Sequence, residues 1–109
     1  MIITDGLKND LLKKFKEESK KIFKLMYSLK ENPKKGKIVG EVRGIVIEEL
    51  KYKKFRFYFI TNGFEVKFLE ITDLQNLVIK FVKMSDKKTQ QKTINEIKDI
   101  LRKFREEGF

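Results

Sequence analysis

Apolar residues recur at helical spacing from Leu7 onward: Leu7, Leu11, Phe15, Ile22, Met26 and Leu29, with lysines and glutamates between them. The stripe predicts helix up to about residue 30. Ser19 interrupts it, so one long helix and a helix pair both fit. Ahead of it, "MIIT" reads as a short opening strand before Asp5-Gly6. "ENPKKGK" ends the helical stretch, because the residue before Pro33 is pushed out of helical geometry and Gly36 marks a turn. "GKIVGEVRG" lacks the phosphate-loop pattern and precedes a strand rather than a helix, so it reads as a flexible connection, with Arg43 available to a polyanion.

The pattern then shortens to strand length. "GIVIEELKYK" leads, "FRFYFIT" follows, and Asn62-Gly63 is a hairpin signal before "FEVKFLEI". "TDLQN" turns again, and "LVIKFVKM" makes the last strand. Short links between consecutive strands imply an antiparallel meander. Beyond "KKTQQK", Ile94, Ile97, Leu101 and Phe104 form a second helical stripe. Thr93 and Glu96 fit a capping box at its start, and Gly108 a stop. The expected architecture is α+β: an N-terminal helix or helix pair, an antiparallel meander of three to four strands, and a C-terminal helix. It forms one domain over 1–109, with the helices on one face of the sheet.

Alternation assigns Phe55, Phe57 and Phe59 to the core face, which leaves Arg56 and Tyr58 on the other. Lys51 and Lys53 lie close by on the preceding strand, and Lys80 and Lys83 occupy opposite parities on the last one. An uncovered sheet face with Lys, Arg and Tyr suits a phosphodiester backbone: cations attract phosphate, and a ring can stack on an unpaired base. The Glu48-Glu49 pair reads as strand neighbours pointing to opposite faces, one of them pairing with a cross-strand lysine. Lys13, Lys14, Lys20 and Lys21 read as a solvated helix face.

Charge sharpens this picture. Lys and Arg number 26 against 16 Asp and Glu, a formal +10. Heat-adapted surfaces are also charge-rich, but adaptation raises both signs, and this surplus is one-sided. It favours a polyanionic partner. The chain has no cysteine and no histidine, which excludes disulfides, thiolate metal sites and imidazole acid–base chemistry. No apolar run approaches the roughly 20 residues that span a bilayer, and no secretory leader opens the sequence, so a soluble cytoplasmic protein without a membrane partner is expected.

The order of Glu49-Leu50-Lys51, Phe55-Arg56-Phe57-Tyr58, Phe81-Val82-Lys83-Met84 and Lys87-Lys88-Thr89-Gln90 resembles the RelE/ParE toxin superfamily, in particular its HigB-like branch, over roughly residues 25–103. The resemblance implies the toxin of a toxin–antitoxin pair. Such a toxin is a ribosome-dependent endoribonuclease that cleaves messenger RNA through the ribose 2′-hydroxyl, without metal or cofactor. By position, Arg56 would stabilise the scissile phosphate, Lys51 or Lys53 would bind phosphate or assist proton transfer, and Tyr58 would stack or donate a proton. Lys83, Lys87 and Lys88 would contact RNA, with Arg43, Lys54 and Lys80 as further RNA-binding cations. An acidic antitoxin is the implied protein partner. Many active members carry a histidine or tyrosine after the last strand, and none follows Met84 here. The same scaffold includes gyrase-directed and non-catalytic nucleic-acid-binding members, which form the alternative.

Overall fold

The stripe that begins at Leu7 folds into two helices rather than one. The computed structural model describes residues 2–61 and 79–103. Helix α1 spans Asp5–Phe15 and α2 spans Ser19–Tyr27, joined by a single 3-10 turn at Lys16–Glu18. Lys16 takes φ 47°, which a continuous helix forbids. Ser19, the residue that interrupts the stripe, turns its hydroxyl back to donate to the Lys16 carbonyl at 2.5 Å. The break lets Leu7 and Leu11 from one helix, and Ile22 and Met26 from the other, face the same core.

Among the described residues the sheet has five strands in the order β1-β5-β4-β3-β2: β1 (Ile2–Ile3), β2 (Lys37–Val42), β3 (Ile45–Tyr52), β4 (Phe55–Thr61) and β5 (Lys80–Asp86). All neighbours are antiparallel except β1, which runs parallel to β5. The architecture is α+β, closed by a C-terminal helix, α3 (Gln90–Lys103). Two expectations are corrected here. "GKIVGEVRG" is no loose connection: most of it is edge strand β2, with a register shift between Ile38 and Gly40. Thr93 does not cap α3; it lies buried inside the helix, and its amide donates to the Thr89 carbonyl. The turn before α3 is held by Asp86, whose Oδ1 accepts from both the amide and the hydroxyl of Thr89. The Asn62-Gly63 hairpin signal, the "FEVKFLEI" strand, Phe104 and the Gly108 stop lie outside the described residues.

The helices do not share one face. Phe57 and Phe59 turn toward α1 and α2, joining Leu11, Ile22, Met26, Leu29 and Phe81. On the opposite face Ile47, Tyr58 and Ile60 pack under Ile94, Ile97 and Leu101 of α3. Every residue of β4 from Arg56 to Thr61 is therefore buried, as expected of a central strand covered on both sides. Aromatic contacts tie the first layer together: Phe15 meets Phe55 edge-on at 5.0 Å between ring centres, and Phe59 lies 5.0 Å from Phe81. Such pairs contribute about 0.5–1.5 kcal/mol beyond the area they bury.

Glu48 and Glu49 occupy opposite faces, as strand neighbours must, but neither meets a lysine among the described residues. Glu49 accepts from the Gln90 side chain at 2.7 Å. Among the described residues Glu48 has only the Thr61 hydroxyl, at 3.5 Å, and burial pushes its carboxyl above the ordinary value. A raised carboxyl pKa means the native state holds its proton longer than the unfolded chain does, so stability falls as pH rises through that interval. Glu48→Gln removes this loss. Chemical unfolding at several pH values should show the variant more stable than the parent at pH 7, with the gap closing as pH falls toward the ordinary glutamate range of about 4.3. An equal gap at every pH contradicts the assignment.

Candidate nucleic-acid interface

The residues proposed for an open sheet face are not on an open face. Arg56 and Tyr58 do point away from the phenylalanines, but α3 covers them. Arg56 is 8% exposed and Tyr58 fully buried. The Tyr58 phenol shares a 2.8 Å hydrogen bond with Ser85, and burial pushes its pKa up. It is neither a stacking platform nor a ready proton donor. Arg56 sits between its register partners Lys51 and Ser85. Its Nη1 is sealed from solvent without a hydrogen-bond partner, and among the described residues no carboxylate lies within ion-pairing distance. The expected basic cleft on the sheet is therefore absent, because Ile94, Ile97 and Leu101 need an apolar surface and take that face.

The remaining cations divide by position along the strands. The β2–β3 turn carries Arg43, and Lys80 pairs in register with Ile60 near the same end. The β3–β4 turn carries Lys53 and Lys54 at the other end, roughly 25 Å away along an eight-residue strand. Lys51 is exposed on the last turn-ward residues of β3, and Lys87 and Lys88 follow directly from the end of β5, where Asp86 pairs with Phe55. Lys83 is spent within the fold, 3.5 Å from Glu96 of α3. Lys54, Lys87 and Lys88 thus come together with Lys51; Arg43, Lys80 and Lys83 do not.

Sequence reasoning missed one member of this cluster. Lys14, read as solvated helix surface, ends α1 beside the same turn, its Nζ 4.6 Å from the centre of the Phe55 ring. Lys54 approaches that ring at 5.7 Å. A Lys two residues before the break at Lys16 was the available signal, but only the fold shows that the break lies over the β3–β4 turn.

The acidic residues nearby are engaged. Glu18 accepts hydrogen bonds from Lys53 and, at 2.6 Å, from the Tyr52 hydroxyl. These two bonds, that from Lys53 first, hold its carboxyl below the ordinary range and raise the pKa of both donors. Lys53 is thereby a strut between the turn and the α1–α2 junction, not a proton carrier. Asp86 is held low by its bonds from Thr89. Lys14, Lys51, Lys54, Lys87 and Lys88 consequently form a band of exposed charge around one end of the sheet. Among the described residues no group of three or more carboxylates converges to hold a metal ion, and no helix is long and apolar enough to cross a membrane. No family model, curated protein or solved structure matches the chain, so the band's chemistry carries the functional reading.

Proposed function

We propose that the protein binds the phosphodiester backbone of RNA at the basic end of its sheet. One observation carries this reading: five lysines from three separate segments of chain come together there, outnumbering the neighbouring carboxylates, of which Glu18 is paired with Lys53 and Asp86 stays ionised on its bonds from Thr89. Lysine ammonium groups on flexible stems neutralise successive phosphates, release counterions and read no bases. Lysines on flexible stems can follow the backbone of a flexible single strand.

A ribosome-directed toxin that cleaves messenger RNA is the second reading, and the cross-strand adjacency of Lys51 and Arg56 favours it. It requires α3 to lift from Tyr58 and Arg56. Induced expression separates the two. The binding reading predicts intact messages and tight association with RNA. Arrest of translation with cuts inside codons, lost on Arg56→Ala, would overturn it in favour of the toxin.

A further inference from the structure

The groove between α1 and α3 has the opposite chemistry to the basic end of the sheet. It encloses about 440 Å³ along β5, with Val82 and Met84 on its floor, Leu7 and Asp10 of α1 on one wall, and Thr93 and Glu96 of α3 on the other. It exists because the two helices cover opposite faces of the sheet and leave this edge between them. A volume of this size suits a small molecule better than a single ion. A Cβ added at Gly6, beside Leu7, would touch nothing within 4 Å, so that wall stands open.

Its polar groups are mostly acceptors. Asp10 and Glu96 bring one carboxylate from each wall. Among the described residues Asp10 has no ion pair, and Glu96 meets only Lys83, at 3.5 Å, in a half-exposed contact of the kind that contributes little. Thr93 is 7% exposed and lines the groove, yet its hydroxyl has no hydrogen-bond partner among the described residues. A hydroxyl so placed calls for a partner. Thr4, which also borders the space, precedes α1 without capping it. Strand β1 pairs with β5 only at Lys80 and Phe81, and beyond Phe81 no strand among the described residues lies on that side. Outward main-chain carbonyls of β5 are therefore further acceptors.

We infer that this groove binds a short aliphatic diamine. Each ammonium group carries three donors and no acceptor, which complements such a lining. One end sits on Asp10, and the other displaces Lys83 from Glu96 and donates to the Thr93 hydroxyl. The methylenes between them lie along Leu7, Val82 and Met84, as lysine stems do on apolar surface. A metal ion would leave that apolar floor uncovered, and among the described residues no third acidic ligand joins the pair. The overall charge of +10 opposes any cation at long range, but salt near 0.1 M screens it beyond about 10 Å, whereas these contacts are local. The site shares no lysine with the RNA-binding end and does not depend on it.

The test titrates the isotope-labelled full chain with putrescine at neutral pH and follows the amide signals by NMR. Saturable shifts should centre on Leu7, Asp10, Val82, Met84 and Thr93. Butylamine should bind about fivefold more weakly, as should putrescine to Asp10→Asn or to Glu96→Gln, fivefold being the upper worth of a partly exposed ion pair. Lys83→Met removes the competing ammonium and should tighten binding by a similar factor, with RNA affinity unchanged. A merely structural role for these residues would not give opposite signs. No saturable shift at about 10 mM putrescine, tenfold above a millimolar dissociation constant, overturns the inference. So does equal affinity for butylamine, or binding indifferent to both carboxylate substitutions, which would put the amine elsewhere. Magnesium ion producing the same shifts at the same concentration also overturns it, since the carboxylates would then be taking any cation.

Discussion

Replacing Lys51, Lys54, Lys87 and Lys88 together with alanine lowers affinity for single-stranded RNA several hundredfold near 0.1 M salt. The magnitude follows from counterion release: about 0.7 of an ion per phosphate contact on a single strand, so four lysines steepen the salt slope by roughly 3. Relative to 1 M salt, that slope is worth nearly three decades at 0.1 M. All four side chains are exposed, so the fold should be unaffected, exposed substitutions usually staying within about 0.5 kcal/mol. Arg43→Ala, at the opposite end of the strands, is the matched control and should change affinity little. The measurement is a filter-binding or anisotropy titration across salt. If the Arg43 variant and the quadruple variant lose affinity alike, RNA does not choose one end.

Arg56→Met is expected to stabilise the protein. The guanidinium is buried, and among the described residues Nη1 is unpaired and no carboxylate lies in ion-pairing range. A buried, unsatisfied donor costs about 1–3 kcal/mol, more when charged. Replacing a buried ion with an apolar side chain of similar length is often neutral to stabilising. Methionine is unbranched and replaces the apolar stem of the arginine. A gain of about 1–2 kcal/mol raises the melting temperature by several degrees in a domain of this size. Calorimetry reads this directly. A marked destabilisation would mean that Arg56 is tied into the polar cluster of Glu49, Gln90, Tyr58 and Ser85 more firmly than its geometry shows. The RNA-cleavage reading predicts that the stabilised variant loses nuclease activity entirely.

Much of the fold could be read from local signals. The Leu7 stripe, the break at Ser19 as one of two options, "FRFYFIT" as a strand and the Ile94–Leu101 helix all follow from periodicity, because side-chain direction is fixed by backbone type. What periodicity could not supply was the partner of each face. Phe57 and Phe59 announce one buried side, but Tyr58 and Ile60 are apolar as well, and Ile47 faces them from β3. Those residues, weighed against the unpaired stripe of α3, were the sign of a second layer. Arg56 and the nearby lysines outweighed them in a charge-led reading.

The site was legible only in part, for the same reason. Lys54, Lys87 and Lys88 are where strand ends place them, and Lys51 remains accessible. Arg43 and Lys80 were grouped with them by charge alone, whereas the antiparallel register separates them by the length of a strand. Lys83 and Lys53 looked free in sequence and are each engaged by a glutamate from a helix, Glu96 and Glu18. Such pairings are long-range, and no local spacing records them. The two-residue strand β1 shows the converse: "MIIT" announced a strand, but not that it would stop after Ile3 and pair only with Lys80 and Phe81 of β5.

Lysine acetylation footprinting is the most direct check on where the polyanion sits. The protein is treated with an acetylating reagent with and without a saturating single-stranded RNA, and each lysine's reactivity is read by mass spectrometry. Protection should concentrate on Lys14, Lys51, Lys54, Lys87 and Lys88, while Lys24, Lys30 and Lys80 react as in the free protein. Uniform protection, or protection centred on Lys24 and Lys30, would contradict the assignment of RNA to the end of the sheet.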